Sequence, residues 1–197
     1  MSTLDVLAGL TPPPTLQAPE IGFVLYDARN DPQAPDFLPY IWRRMQKDDL
    51  VDYYFPGQKD TGYATFVRMM SGDANVALVT VPDDSHQWDK TITGFISWTP
   101  LHLGAAEMIV AGFIFFREFW DHKTTDQAAR GAFDLWFRNT SAENVIGVCP
   151  SDHIVALRYN RRIGLKEIGR IPNGHLFKGK VCDAVLVCIT RAEWEKR

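Results

Sequence analysis

Hydrophobic and polar positions along the chain resolve into short strands alternating with amphipathic helices. From Ile21, the stretch GFVLYDA alternates well enough to predict a first strand. Asp36 then reads as the cap of a helix with Phe37, Tyr40, Ile41 and Met45 on one face. A second helix fits Thr61 to Ser71, with Tyr63, Phe66, Val67 and Met70 inward and Gly72 as its stop. NVALVTV, the polar loop Pro82 to Lys90 and TITGFISWTP predict a β-hairpin with a long connection. Ile109 to Phe116 is a nearly unbroken apolar run, which predicts a strand buried on both faces.

Behind that strand the period changes. From Asp126, residues Ala128, Ala129, Ala132, Phe133 and Trp136 recur at three and four, one face of a helix. Thr124 and Thr125 stand at its N-cap, and Gly131 inside it costs about 1 kcal/mol relative to Ala. NVIGVCP predicts a strand stopped by Pro150. Ser151 or Asp152 would cap the helix that follows, where Ile154, Ala156, Leu157 and Ile163 are apolar and Gly164 closes it. LKEIGRI, a turn around Pro172-Asn173-Gly174 and KVCDAVLVCITR form a closing hairpin, and RAEWEKR a short helical or frayed tail. The order is β-α-α-β-β-β-α-β-α-β-β, an antiparallel front half followed by two βα units, with no internal repeat.

Composition narrows the classes. The chain has 197 residues, 46% hydrophobic and 23% charged, enough for one substantial core. A net charge of −3 excludes the basic excess of a nucleic-acid-binding domain. No stretch approaches the ~18 apolar residues of a membrane span, and no secretory signal opens the chain. Cys149, Cys182 and Cys188 form no CxxC pair; Cys182 and Cys188 are roughly 20 Å apart along one strand, which forbids a local disulfide. A reduced, cytoplasmic compartment follows. The histidines show no metal spacing with the cysteines. Pro12, Pro13, Pro14 and Pro19 make residues 1–20 an extended or disordered arm. An arm laid on a second subunit, which would make a homodimer, is the sharper reading. Residues 21–197 read as one domain.

The join between the apolar strand and its helix carries the first chemistry. First-turn helical amides point outward unpaired and the helix dipole favours negative charge, so Lys123, Thr124, Thr125 and Asp126 stand where a pyrophosphate would dock. An ordinary βα corner with nothing bound has the same local pattern.

The element order is similar to that of the GNAT superfamily of N-acetyltransferases, and two segments carry the likeness. Phe115 to Ala128, FFREFWDHKTTDQA, resembles the acetyl-CoA loop of the ribosomal-protein N-terminal acetyltransferase branch, h-p-e-y-w-G-k-G-y-a-t-E-A. Glu118, Phe119 and Trp120 stand at e-y-w, and Gln127-Ala128 at E-A. Val148 to Leu165 resembles v-x-P-x-N-x-x-A-x-R-x-x-x-k-x-G-F, matched by Pro150, Ala156, Arg158, Arg162 and Gly164. The tail, with Gly169, Gly179, Asp183 and Trp194, closes much as several phage- and prophage-borne members do. Asp121 and Lys123 replace the two loop glycines, His153 replaces the usual Asn, and Asn160 stands where many members have a thiolate-protonating Tyr; Tyr159 is one residue early.

The resemblance implies an α/β fold, a mixed, mostly antiparallel sheet with helices on both faces. It implies transfer of an acetyl group from acetyl-CoA to an unidentified amine acceptor, a small molecule or a protein N-terminus or lysine. The strands Ile109–Phe116 and Asn144–Cys149 should diverge, and pantetheine should pair with backbone groups near Phe115 and Phe116. Glu107 and Glu118 are candidate bases, with His122 and His153 weaker. Cys149 and Tyr159 are candidate acids, while Arg158, Arg161 and Arg162, with Asn160, stand toward the coenzyme. Asp48, Asp49, Asp52, Tyr53, Tyr54 and Phe55 would form an acidic, aromatic rim suited to a cationic amine. The competing reading is a catalytically degenerate member of the fold serving as a binding or assembly module.

Overall fold

The computed structural model describes residues 20–26, 34–55, 62–72, 75–83, 90–103, 106–120 and 122–197. The expected N-terminal arm, Glu20 apart, and most of the polar loop after Pro82 lie outside them. The elements are β1 (Gly22–Tyr26), α1 (Ala34–Lys47), α2 (Val51–Tyr54), α3 (Tyr63–Met70), β2 (Asn75–Pro82), β3 (Lys90–Leu103) and β4 (Ala106–Phe115). A 3-10 turn, Arg117–Phe119, then leads to α4 (His122–Asn139), β5 (Asn144–Pro150), α5 (Ile154–Ile163), β6 (Lys166–Phe177), β7 (Lys180–Thr190) and α6 (Arg191–Trp194). The strands form one sheet in the order β1-β2-β3-β4-β5-β7-β6, antiparallel except for β4 with β5.

Strand alternation feeds two cores. Ala77, Val79, Ile96, Ile109 and Val185 face α4 and α5, packing on Ala129, Phe133 and Trp136. Val76, Leu78, Phe95 and Ile114 face α1 and α3, meeting Ile41, Met45 and Phe66. Each large side chain buried this way stabilises the fold by about 2–3 kcal/mol. The glycine inside α4 has a packing reason. A Cβ at Gly131 would come within 2.7 Å of the Phe23 ring, so the glycine admits β1 against the helix.

Four local expectations are corrected. α1 starts at Ala34, ahead of Asp36, because proline early in a helix removes a donor that would be unpaired anyway. α4 starts at His122, so Thr124 and Thr125 lie within its first turns and are buried. The cap of α5 is His153 rather than Ser151 or Asp152: its Nδ1 accepts from the Ala156 amide at 3.4 Å. The closing turn is Lys178-Gly179, both with positive φ, the backbone of a two-residue hairpin turn. Pro172-Asn173-Gly174 is instead an irregularity within β6, where Asp183 accepts from the Asn173 amide at 3.1 Å. Gly164 ends α5 as expected, left-handed at φ 103.

Candidate functional site

β4 and β5 pair over three positions only, Met108 with Asn144, Ile109 with Val145 and Val110 with Ile146. Both strands then run on, β4 to Phe115 and β5 to Pro150, with a gap between them. The expected divergence is therefore present. On its outer sides each strand stays paired, β4 to β3 and β5 to β7.

Two hydrogen bonds fix what faces the gap. The Phe116 amide donates to Thr93 O on the β3 side at 2.9 Å. Antiparallel ladders alternate residue by residue, so Phe113 and Phe115 turn their backbone groups the other way, into the gap. Ser151 donates to Asp183 O at 2.8 Å toward β7, so the backbone of Val148 likewise faces the gap. Pro150 shares that parity and has no N–H, which leaves no orphan donor at the wide end. Of the pair expected from the sequence, Phe115 faces the gap while Phe116 is committed to β3; Phe113 shares the parity of Phe115. Trp120 completes the rim. Its indole N–H donates to Phe115 O at 2.7 Å, masking that carbonyl and leaving the Phe115 N–H as the donor there.

Two joined cavities occupy this region. One, of about 170 Å³, runs through the sheet between β4 and β5, with Tyr53 and Tyr54 of α2 at one end and Ala156, Tyr159 and Asn160 of α5 at the other. The second, of about 280 Å³, shares Phe113, His153, Ala156 and Tyr159 with it and extends past Phe115, Trp120 and Thr125 to Arg158 and Arg162. No carboxylate lines either among the described residues.

The remaining candidates divide. Arg158 is exposed on the larger cavity. Arg162 is held by Asp126 at 2.8 Å and reaches Thr125 Oγ1 at 3.4 Å, so the charge of Asp126 is already balanced. Lys123 is exposed on the first turn of α4, and Arg161 is exposed on α5. Cys149 lines the smaller cavity as a neutral thiol; burial, with Cys182 nearby, pushes its pKa up to about 12. Tyr159 points inward, its ring edge-on to Phe113 and Phe115, and its hydroxyl donates to Thr125 O at 2.9 Å. Burial pushes its pKa far above the ordinary tyrosine range. That geometry makes Tyr159 a tie between α5 and α4 and a poor acid.

Neither candidate base reaches the gap. Glu107 lies on the paired side, six residues or roughly 20 Å of strand from Phe113, and its carboxylate accepts from Ser141. Glu118 sits in the 3-10 turn and is held by Arg44 at 2.8 Å. Two of the three rim aspartates are also engaged. Asp48 is buried, accepts from the Arg117 amide at 2.7 Å and faces Arg44 at 3.9 Å; Asp49 lies 3.5 Å from Lys178 and 3.9 Å from Arg117. Asp52 is exposed and lines neither cavity.

His153 sits where the cavities join, against Tyr53 and Phe177. Burial, and behind it the Lys178 ammonium, lower its pKa to about 4. The folded imidazole therefore stays neutral while the unfolded one protonates below its ordinary 6.5. Its contribution is complete above pH 6.5 and is lost as pH falls toward 4, by about 1–2 kcal/mol after allowing for partial exposure. His153→Asn keeps a capping acceptor and removes the titration. In urea unfolding at pH 7.5 and 4.5, wild type should lose that much more stability than the variant on acidification.

No family model matches the sequence, and no curated protein matches it. Solved structures do. Spermidine N-acetyltransferase from Vibrio cholerae, in complex with CoA and spermine, matches with a TM-score of 0.67 at 11% identity, covering 89% of this chain and 98% of its own. A probable GNAT-family acetyltransferase from Chromobacterium violaceum matches with a TM-score of 0.69 at 17% identity, covering 96% and 98%. Arabidopsis thaliana NAA60, with a bisubstrate analogue, matches at 0.62 and 11%, covering 87% and 99%. At such identities the likeness is one of fold: this chain has the GNAT acyltransferase fold.

Proposed function

We propose that this chain is an acetyl-CoA-dependent N-acyltransferase acting on an amine. The observation that carries the reading is the β4–β5 gap, with the backbone donors of Phe113, Phe115 and Val148 turned into it and two joined cavities behind it. Structural neighbours solved with CoA and spermine, or with a bisubstrate analogue, support the same assignment. The kinship to ribosomal-protein N-terminal acetyltransferases and phage-borne members rests on Phe115–Ala128 and the tail. A single domain over residues 21–197 and a cytoplasmic setting belong to this reading, the latter supported by three unpaired cysteines.

Acetyl-CoA would supply an acyl group activated as a thioester. The residues present fit it: strand-like backbone groups in the gap, an apolar passage reaching Arg158, Lys123 exposed on the first turn of α4, and Asp126 neutralised by Arg162. The Phe113 and Phe115 amides would hold the carbonyl oxygen as it gains charge. Holding acyl carbon and amine adjacent supplies most of the acceleration in a direct transfer. Because neither Glu107 nor Glu118 stands at the gap, neither would take the amine proton directly. Burial pushes the Cys149 thiol up to about 12, so it would be a poor proton donor to a leaving thiolate of ordinary pKa about 8.5.

The positions of Glu107 and Glu118 away from the gap also favour the second reading, a coenzyme-binding protein without transfer. Calorimetric titration of acetyl-CoA into wild type and Lys123→Glu tests the first step. Binding weakened about tenfold or more in the variant is expected. Absence of binding at millimolar coenzyme overturns the proposal. Binding without thiol release across an amine panel leaves the second reading standing.

A further inference from the structure

Beside the gap, three rings from separate elements pack together. Tyr53 of α2 lies 4.4 Å from His153 and 5.2 Å from Phe177, and His153 stacks on Phe177 at 5.2 Å and 17°. Lys178 opens the β6–β7 turn at φ 49 and folds its side chain back onto this group. Its ammonium lies 5.3 Å from the Tyr53 centroid, 5.9 Å from the Phe177 centroid and 3.5 Å from the Asp49 carboxylate. Two aromatic faces and a carboxylate are what holds an alkylammonium ion. Here the protein's own ammonium holds the position, and Tyr53 also lines both cavities.

We infer that Lys178 is a specificity-determining residue: its ammonium fills the cage that the second cation of a diamine or polyamine would use, restricting the site to monoamines. The inference deepens the acyltransfer reading and rests on it for the word acceptor; occupancy of the cage stands by itself. A second substrate cation would find like charge from Lys178, with Asp48 already held by the Arg117 amide and Arg44 and Glu118 by Arg44, while exposed Asp52 lines neither cavity. The spermidine enzyme among the structural neighbours shares the fold.

The test is binding of spermidine, without coenzyme, to wild type, Lys178→Ala, Lys178→Met and the double variant Lys178→Ala/Asp49→Asn, by calorimetry. Lys178 is exposed in a turn, and the Met variant keeps its stem should Ala disturb the hairpin. Expected are no measurable wild-type binding, at least a tenfold gain in both single variants, and loss of the gain in the double variant. Equal spermidine binding by wild type and the folded single variants, or no gain in either of them, overturns the inference. With acetyl-CoA present, the thiol-release ratio for spermidine over n-butylamine should rise about tenfold in Lys178→Ala. Failure to bind coenzyme would sink the acyltransfer reading alone, since the cage is read from the amine titration.

Discussion

Ala156→Phe is expected to abolish acetyl-CoA binding while leaving the protein folded. Ala156 sits in the first turns of α5, half-buried, and lines both cavities, so its methyl group stands where they join. A benzyl group there would enter space between β4, β5 and α5 that no side chain fills. Overpacking a filled core costs stability, whereas filling an open cavity mostly displaces what would bind there. The Ala156 amide keeps its bond to His153 Nδ1 in any such variant, so the start of α5 is retained. Affinity should fall at least about a hundredfold, about 2.7 kcal/mol, with the thermal midpoint moving by no more than a few degrees. Calorimetry and a melting curve read the two effects separately. Unchanged affinity in a folded variant would mean that the coenzyme does not use these cavities.

Gly94→Ala should have the opposite profile, a collapse of stability with loss of the site as a consequence. Gly94 lies in β3 opposite Phe115, at the end of β4 where the gap opens. A Cβ there would lie 2.8 Å from Phe115 Cα and closer still to the Ile114 carbonyl oxygen. Both obstacles are backbone, so no rotamer change relieves them; β3 and β4 must move apart. That strains the neighbouring Phe116-to-Thr93 hydrogen bond, the one that sets which amides face the gap. The expected loss is about 3 kcal/mol, a large part of the 5–15 kcal/mol typical of a domain. Urea denaturation should show the midpoint displaced with the slope retained. A loss under about 1 kcal/mol would show that the two strands have more freedom than their pairing implies.

Much of the fold is readable from local pattern. The hairpin of β2 and β3, the apolar run of β4, the helical spacing from Ala128 to Trp136 and the Gly164 stop each depend on residues a few positions apart. The closing turn departs from that pattern for the same reason. Pro172-Asn173-Gly174 carries the stronger local signal, yet Asp183 on the partner strand holds it inside β6, and the chain reverses at Lys178-Gly179. Likewise Thr124 and Thr125 look like caps, but α4 begins earlier, with Tyr159 and Arg162 of α5 bonded to Thr125 in its first turns.

The chain's local pattern by itself determined the element order apart from the short α2, the two apolar faces and the segment around which the site is built. What only the tertiary structure decided is which atoms of that segment are available. Whether Phe113 or Phe116 offers its amide depends on which neighbour β4 pairs with, and strand parity is set by a partner distant in sequence. Glu107, Glu118, Asp48 and Asp49 are all acidic in the sequence, but Ser141, Arg44, Arg117 and Lys178 engage their charges across other elements. Hydrophobic periodicity is a local property and survives in one dimension; hydrogen-bond direction and charge pairing arise only when remote segments meet.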